Sequence, residues 1–129
     1  MSLKSIKTEG LGMTLELKRT TYSPWLVISV FGEIDMGSSP KLRTEIIRVI
    51  NAGHSNLILD LTSVDFIDSA GLGTIIGGLR RVRSHGGDLL LVCPEERIQK
   101  IFTLCDLNKV FNFYLTHVEA VEDNKEADQ

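Results

Sequence analysis

The sequence predicts a single α/β domain with a mixed sheet of four or five strands, an antiparallel hairpin at its start and about four helices. The main observation is that short apolar runs alternate with longer segments of helical periodicity through the middle of the chain. Such alternation is typical of a mostly parallel sheet covered by helices. The length of 129 residues supports the same class, because it suffices for one domain and leaves little for a second.

The first elements predict the hairpin. Residues 14–22 begin with alternating apolar and polar side chains, as a half-buried strand does, and Ser23-Pro24 indicates a turn. A β-rich run then extends from Trp25 to Phe31 and ends at Gly32. Residues 32–38 are expected to form a loop.

Three helices are visible as periodic patterns. The first begins at Ser39-Pro40, with the serine as cap and the proline in the first helical position, and ends at Gly53. The second extends from about Ser69 to His85, where Gly86-Gly87 ends it. The third opens at Pro94 and has an apolar stripe that includes Cys105.

Wholly apolar runs between these helices predict strands covered on both faces. They lie at residues 57–59 and 89–93, and a last strand is expected within residues 111–115. We expect residues 1–13 to be a flexible lead-in, residues 14–122 to be the domain, and residues 123–129 to be a disordered acidic tail.

Composition argues against several classes of protein. A net charge of −3 and a pI of about 5.6 give no sign of a basic face for nucleic acid. Cys93 and Cys105 form no C-x-x-C pair, which argues against a zinc site or a disulfide framework. No signal peptide and no apolar run of 18 residues is present. We therefore expect a cytoplasmic protein that binds no membrane, no metal and no cofactor, and that is a monomer when free.

Ligands on open α/β sheets usually bind at loops that lead from strands into helices. Two such loops stand out, residues 32–38 and 65–73. In the second, Asp68 or Ser69 caps the helix, and two glycines lie in its first turns. A phosphate on the Ser69 hydroxyl would face backbone N–H groups and the positive end of the helix dipole. From the residues alone, a simple capping role for either side chain stays open.

Residues 14–118 resemble a STAS domain of the bacterial anti-sigma factor antagonist family. The resemblance rests on Gly32-Glu33-Ile34-Asp35, on Leu59-Asp60-Leu61 and above all on residues 68–73, Asp-Ser-Ala-Gly-Leu-Gly. It implies that the unphosphorylated protein binds an anti-sigma factor that is also a serine kinase, and thereby releases a sigma factor. It further implies that this kinase phosphorylates Ser69 to inactivate the protein, and that a serine phosphatase reverses the step.

The same resemblance implies a set of residues that bind the partner, which consists of Glu33, Ile34, Asp35, Asp68, Ser69, Gly71 and Leu72. Two residues depart from the family pattern. Ala70 stands where relatives often have a second hydroxyl residue, which leaves Ser69 as the only hydroxyl in the motif. Asp106 stands where relatives often have glycine, and aspartate tolerates left-handed backbone geometry better than most residues.

Other classes of function remain alternatives. A domain binding a nucleotide or another small anionic ligand is one, although the full glycine-rich phosphate loops are missing. A scaffold subunit of a larger signalling or lipid-transport assembly is another. An enzyme is disfavoured, because His54, His85 and His117 fall at element ends with no carboxylate or cysteine at triad or metal-ligand spacing.

Overall fold

A computed structural model describes residues 15–125 of the chain. The predicted lead-in of residues 1–13 and the end of the predicted tail, residues 126–129, lie outside the described residues. In chain order the elements are β1 (Leu15–Tyr22), β2 (Trp25–Ile34), α1 (Ser39–Asn51), β3 (Asn56–Ile67), α2 (Ser69–Ser84), β4 (Asp88–Val92), α3 (Glu96–Leu104), a 3-10 turn (Leu107–Lys109), β5 (Phe113–Tyr114) and α4 (His117–Asp123).

The five strands form one mixed sheet in the order β1-β2-β3-β4-β5. β1 and β2 form the predicted antiparallel hairpin, and β2 to β5 are parallel to one another. Each step between neighbouring parallel strands needs a crossover, and α1, α2 and α3 provide the three crossovers. The predicted α/β class is confirmed.

Helices cover both faces of the sheet. On one face, Ile46 of α1, Ile75 of α2 and Phe102 of α3 share a core cluster with Leu59 of β3. On the other face, α4 contributes Ala120 to a smaller cluster that includes Trp25, Ile58 and Leu90. Coverage on both sides explains why residues 57–59 and 89–92 are apolar without alternation.

β3 is much longer than the three-residue apolar run that predicts it. Its second half pairs with the end of β2, so that Gly32 lies opposite Val64 and Ile34 lies opposite Ile67. Val64 and Ile67 are buried, and this burial stabilises the extension. The two predicted loops are therefore shorter than expected: residues 35–38 lie between β2 and α1, and Asp68 alone lies between β3 and α2.

The two helices that follow these loops begin in different ways. α1 is preceded by Ser38, one residue before the predicted cap, and the Ser38 hydroxyl donates to the carbonyl of Glu33 at 2.6 Å rather than capping the helix. α2 is capped by Asp68, whose Oδ1 accepts from the amide of Gly71 at 2.9 Å. The cap of α2 is thus Asp68, and the Ser69 hydroxyl is not needed for it.

The end of α3 corrects the prediction for Cys105. The helix ends at Leu104, and Cys105 is an exposed residue just beyond it rather than part of the apolar stripe. Asp106 then takes the left-handed conformation with φ of 61°, as expected for a residue that replaces glycine. Cys93 is buried at the end of β4, and burial, aided by the charges of Glu95 and Asp60, raises the pKa of its thiol to about 11.

The folded domain continues past the predicted boundary at residue 122. α4 reaches Asp123, whose Oδ2 accepts a hydrogen bond from the Tyr114 hydroxyl at 2.7 Å. Asn124 donates to the same hydroxyl at 3.0 Å. Because Tyr114 is anchored in the sheet, these bonds hold the first residues of the acidic segment in place. Between residues 15 and 125, no helix is both long and apolar enough to span a bilayer.

Candidate functional site

The two predicted functional loops lie side by side, and one carboxylate joins them. Asp68 Oδ1 accepts from the amide of Gly71, and its Oδ2 accepts from the amide of Met36 at 3.0 Å. The amide of Asp68 in turn donates to the carbonyl of Ile34 at 3.1 Å. The end of β2 and the start of α2 therefore form one surface, which we call the loop face and which comprises residues 33–37 and 65–69.

Ser69 lies on the loop face as the first residue of α2 and is exposed to solvent. The amides of Ser69 and Ala70 donate to no acceptor within residues 15–125, as is usual for the first turn of a helix. An accessible hydroxyl therefore lies beside free N–H groups at the positive end of a sixteen-residue helix. This arrangement suits a group that gains negative charge.

Asp35 is held in a fixed position by its own loop. Its Oδ1 accepts from the amides of Gly37 and Ser38, each at 3.0 Å, which makes a tight polar turn before α1. Asp35 and Asp68 line the same shallow cleft, together with Met36 and Gly37. The two carboxylates therefore lie on one surface, and Asp68 directly precedes Ser69.

The residues predicted to bind a partner divide into two groups. Glu33 and Ser69 are exposed, and Asp35 and Asp68 are partly exposed, so all four can be reached from outside. Ile34, Gly71 and Leu72 are buried in the free chain, so a direct contact of theirs with a partner stays a prediction. They support the loop face from beneath, since Ile34 and Leu72 pack in the core and a Cβ on Gly71 would lie 2.2 Å from the carbonyl oxygen of Ile34.

Two exposed apolar side chains on the loop face are missed by the sequence reasoning. Met36 is 77% exposed and Phe66 is 47% exposed, and both lie within the loop face. Sequence patterns assign large apolar residues to the core by default. Alternation from the buried Val64 would place Phe66 inside as well, but the pairing of β2 with β3 shifts register after Gly32 and Val64, so Ile67 is buried in its place and no local pattern marks Phe66 as exposed.

A second group missed from the sequence lies on the opposite face of the sheet. His117 Nε2, at the start of α4, lies 2.5 Å from Asp60 Oδ2 of β3, although the two residues are 57 positions apart. The sequence shows no carboxylate at triad or metal-ligand spacing from the histidines, and this pair forms only because the fold brings distant residues together. Asp60 Oδ1 also accepts from the amide and hydroxyl of Thr62. No serine or cysteine side chain within the described residues forms a hydrogen bond with the pair, which connects α4 to the sheet.

Comparison with known proteins identifies the family. The family model of the STAS domain matches residues 16–120. The chain belongs to the STAS domain family. The resemblance carried by residues 32–35, 59–61 and 68–73 is thus confirmed, and the STAS fold includes the loop face.

Relatives of known name support a more specific grouping. A provisionally named anti-sigma factor antagonist from Thermotoga neapolitana is 36% identical over 74 residues, which make up 57% of this chain and 66% of that protein. This chain therefore spans just under two thirds of that relative's length. The anti-sigma-B factor antagonist of Bacillus subtilis is 32% identical over 85 residues, 66% of this chain and 77% of the relative.

Solved structures agree with the fold of this STAS domain. The crystal structure of the provisionally named anti-sigma factor antagonist of Thermotoga maritima superposes with a TM-score of 0.78 at 25% identity, covering 83% of this chain and 92% of that one. The Bacillus cell fate determinant SpoIIAA in its phosphorylated form superposes with a TM-score of 0.64 at 26% identity, covering 84% and 97%. The second structure shows that a neighbour with this fold carries phosphate.

Proposed function

We propose that this chain is an anti-sigma factor antagonist that acts by binding and is inactivated by phosphorylation of Ser69. The unmodified protein binds an anti-sigma factor that is also a serine kinase, and the sigma factor is released. A serine phosphatase restores the unmodified form. The observation that carries the proposal is the exposed Ser69 hydroxyl at the first residue of α2, beside two carboxylates and two exposed apolar side chains. The names of the relatives support it.

The loop face has the chemistry of a protein-binding surface. Met36 and Phe66 provide apolar area that a partner can desolvate, and aromatic and methionine side chains are enriched in such contacts. Glu33, Asp35 and Asp68 surround them with negative charge, so a complementary partner presents basic groups there. A kinase that binds this face meets the Ser69 hydroxyl directly. The kinase supplies ATP, magnesium and the base, and this chain supplies only the acceptor.

Phosphorylation changes the charge of the loop face without requiring the fold to change. The phosphate brings about −1.5 to −2 charges to a site that already holds Asp35 and Asp68. The free amides of Ser69 and Ala70 stabilise it within this protein. In a desolvated interface the same charge opposes binding. A loss of about 3–4 kcal/mol of binding free energy weakens affinity by a factor of about one hundred or more.

The first experiment tests the phosphorylation site. The purified chain is incubated with its cognate anti-sigma kinase, magnesium and ATP, and the product is examined by intact mass and peptide mapping. We expect one phosphate, on Ser69, and none on the Ser69→Ala variant. Ser63 is an exposed serine six residues earlier on β3, so Ser63→Ala is the matched control and should be phosphorylated like the parent protein. Phosphate on another residue contradicts the proposal.

The second experiment tests the binding surface. Ser69→Ala should bind the kinase but stay active in the presence of ATP, whereas Ser69→Asp should bind at least tenfold more weakly. Met36→Ala and Phe66→Ala should each weaken binding about tenfold without loss of stability, because both side chains are exposed. Leu104→Ala, at a 79% exposed position on α3, is the control. If Leu104→Ala changes kinase binding as much as Met36→Ala does, the loop face is not the binding surface.

The geometry argues against a hydrolase that uses Ser69 as its nucleophile. The one histidine–carboxylate pair between residues 15 and 125 is centred on Asp60, seven residues before the end of β3. Seven residues of extended strand span about 23 Å, so this pair cannot deprotonate a serine at the start of α2. The non-enzymatic role remains part of the proposal, and the cytoplasmic location stays a prediction.

A further inference from the structure

The second half of β3 has a neighbouring strand on one side only. β3 pairs with β4 as far as Asp60, which lies opposite Val92, and β4 ends there. Within the part of the chain that the structure describes, residues 61–67 pair with β2 alone. A strand with one neighbour leaves the backbone N–H and C=O groups of its other edge without ladder partners. The loop face depends on this segment, because residues 65–67 belong to both.

Arg97, in the first turn of α3, contacts this segment beyond the point where β4 ends. Its Nη1 donates to the carbonyl oxygen of Asp65 at 2.6 Å, and its Nε donates to Glu95 Oε1 at 2.9 Å. The guanidinium carries five N–H donors in a rigid plane, so one side chain satisfies both acceptors at once. Arg97 and Asp65 are 32 positions apart, so the contact is set by the fold and not by a local pattern.

The helix that carries Arg97 is itself held in a fixed position. Ile98, the next residue, and Phe102 are fully buried and pack in the main core. The loop before the helix is held as well, because Gln99 Nε2 donates to the carbonyl oxygen of Cys93 at 2.6 Å. A hydrogen bond from a fixed element restricts the group that accepts it. Arg97 therefore fixes the backbone of the β3 end relative to the core.

The position of the Asp65 backbone matters because the residues of the loop face follow it directly. Phe66 comes next, and an exposed side chain of this kind has little packing of its own to hold it in place. Asp68 lies three residues after Asp65, and its Oδ2 accepts from the amide of Met36. A shift at Asp65 therefore moves Phe66 and disturbs the second loop through Asp68. The orientation of the whole loop face depends on the bond from Arg97.

We propose that Arg97 is a positioning residue for partner binding, an inference that rests on the function proposed above. It holds residues 65–68 in the orientation in which Phe66 faces the anti-sigma factor, and it acts through this segment rather than by touching the partner. A segment that is already ordered loses less entropy when it binds. The Arg97 side chain is 56% exposed, so its removal leaves no cavity and spares the stability of the fold.

Amide hydrogen exchange of the free full-length chain is the first test, because it needs no partner. The amide of Asp68 donates to the carbonyl of Ile34, and Arg97→Ala should speed its exchange about fivefold or more. The urea midpoint of the same variant should move by less than about 0.5 M. Arg97→Lys keeps a charged donor, so its exchange rate should lie closer to that of the parent protein. Lys100→Ala, at an exposed position further along α3, is the matched control and should leave the exchange unchanged.

A double-mutant cycle on kinase binding separates positioning from direct contact. Arg97→Ala should weaken binding about fivefold in the parent protein but less than about twofold in the Phe66→Ala variant, because its effect passes through Phe66. The proposal is overturned if the two losses are additive, if the exchange of the Asp68 amide is unchanged in Arg97→Ala, or if Lys100→Ala has the same effects. A kinase that does not bind the loop face contradicts the proposed function alone, since exchange in the free chain decides separately whether Arg97 holds the segment.

Discussion

Gly71 and Gly73, two residues apart at the start of α2, offer a matched pair of glycine-to-alanine substitutions with opposite expected effects. A Cβ on Gly71 would lie 2.2 Å from the carbonyl oxygen of Ile34 and 2.9 Å from the Cγ2 atoms of Ile34 and Ile67. A Cβ on Gly73 would meet nothing within 4 Å. The first substitution forces the helix away from the end of β2, and the second adds a methyl group to open space.

The magnitudes follow from these distances. Relief of the contact with Ile34 needs a shift of about 1 Å, and overpacking of this kind costs roughly 1–3 kcal/mol. The shift also disturbs the hydrogen bond from the Gly71 amide to Asp68, which is worth about 1 kcal/mol as a helix cap. Against this, alanine improves helix propensity by up to about 1 kcal/mol. Gly71→Ala should therefore lower the free energy of unfolding by about 1–3 kcal/mol, and Gly73→Ala should raise it by about 0.5–1 kcal/mol.

Urea denaturation followed by the fluorescence of Trp25, the single tryptophan and a buried one, measures both effects. With a slope of about 1–3 kcal/mol per M, the urea midpoint of Gly71→Ala should fall by roughly 1 M, whereas that of Gly73→Ala should rise slightly. A Gly71→Ala variant as stable as the parent protein would refute the reasoning, since it would mean that α2 and β2 are not packed as closely as the structure shows.

Four further predictions rest on other contacts of the fold. At pH 8 a thiol reagent such as DTNB should modify the exposed Cys105 rapidly and Cys93 only after denaturation. The reason is that a pKa of about 11 leaves roughly one in a thousand of the Cys93 thiols ionised at this pH. Equal rates of modification at the two cysteines would contradict this prediction. Folding raises the pKa of Cys93 from 9.0 to about 11, so the stability that the protonated thiol contributes should be lost as pH rises from 9 towards 11. In urea denaturations over this pH range, the free energy of unfolding of a Cys93→Ala variant should fall less than that of the parent protein. His117→Ala should lower the free energy of unfolding by about 1–2 kcal/mol, because Asp60 loses a partner, and an unchanged urea midpoint would show that the pair does not stabilise α4. Asp68→Ala should lower the free energy of unfolding by about 2 kcal/mol, because the helix cap and the hydrogen bond to the Met36 amide are both lost. Asp65→Ala, at an exposed position, should change the free energy of unfolding by less than about 0.5 kcal/mol in the same assay.

Most of the fold and the position of Ser69 were predictable because they depend on neighbours close in sequence. The period of the apolar side chains identifies α1, α2 and α3, and the motif at residues 68–73 places Ser69 at the start of a helix. Asp106 could be expected to adopt a left-handed conformation from its residue type and its place after α3. These features are set by backbone preferences and by hydrogen bonds that reach no further than about one helical turn.

The surface of the site could not be predicted in the same way. Whether Ile34 is buried and Met36 exposed depends on how β2 pairs with the end of β3, and this pairing joins residues about thirty positions apart. The contact between His117 and Asp60 depends on α4 folding over the far face of the sheet. Local patterns carry no information on such contacts, because they arise when distant segments compete to bury apolar area.

The sequence by itself determined the α/β class, the family resemblance and a hydroxyl at the first residue of α2. Only the tertiary structure decided which residues around that hydroxyl face outward, how far β3 extends and which side chain of α3 contacts its end. The physical reason is that helix and strand formation follows from short-range periodicity, whereas exposure and cavities follow from how side chains of different segments fill the shared space.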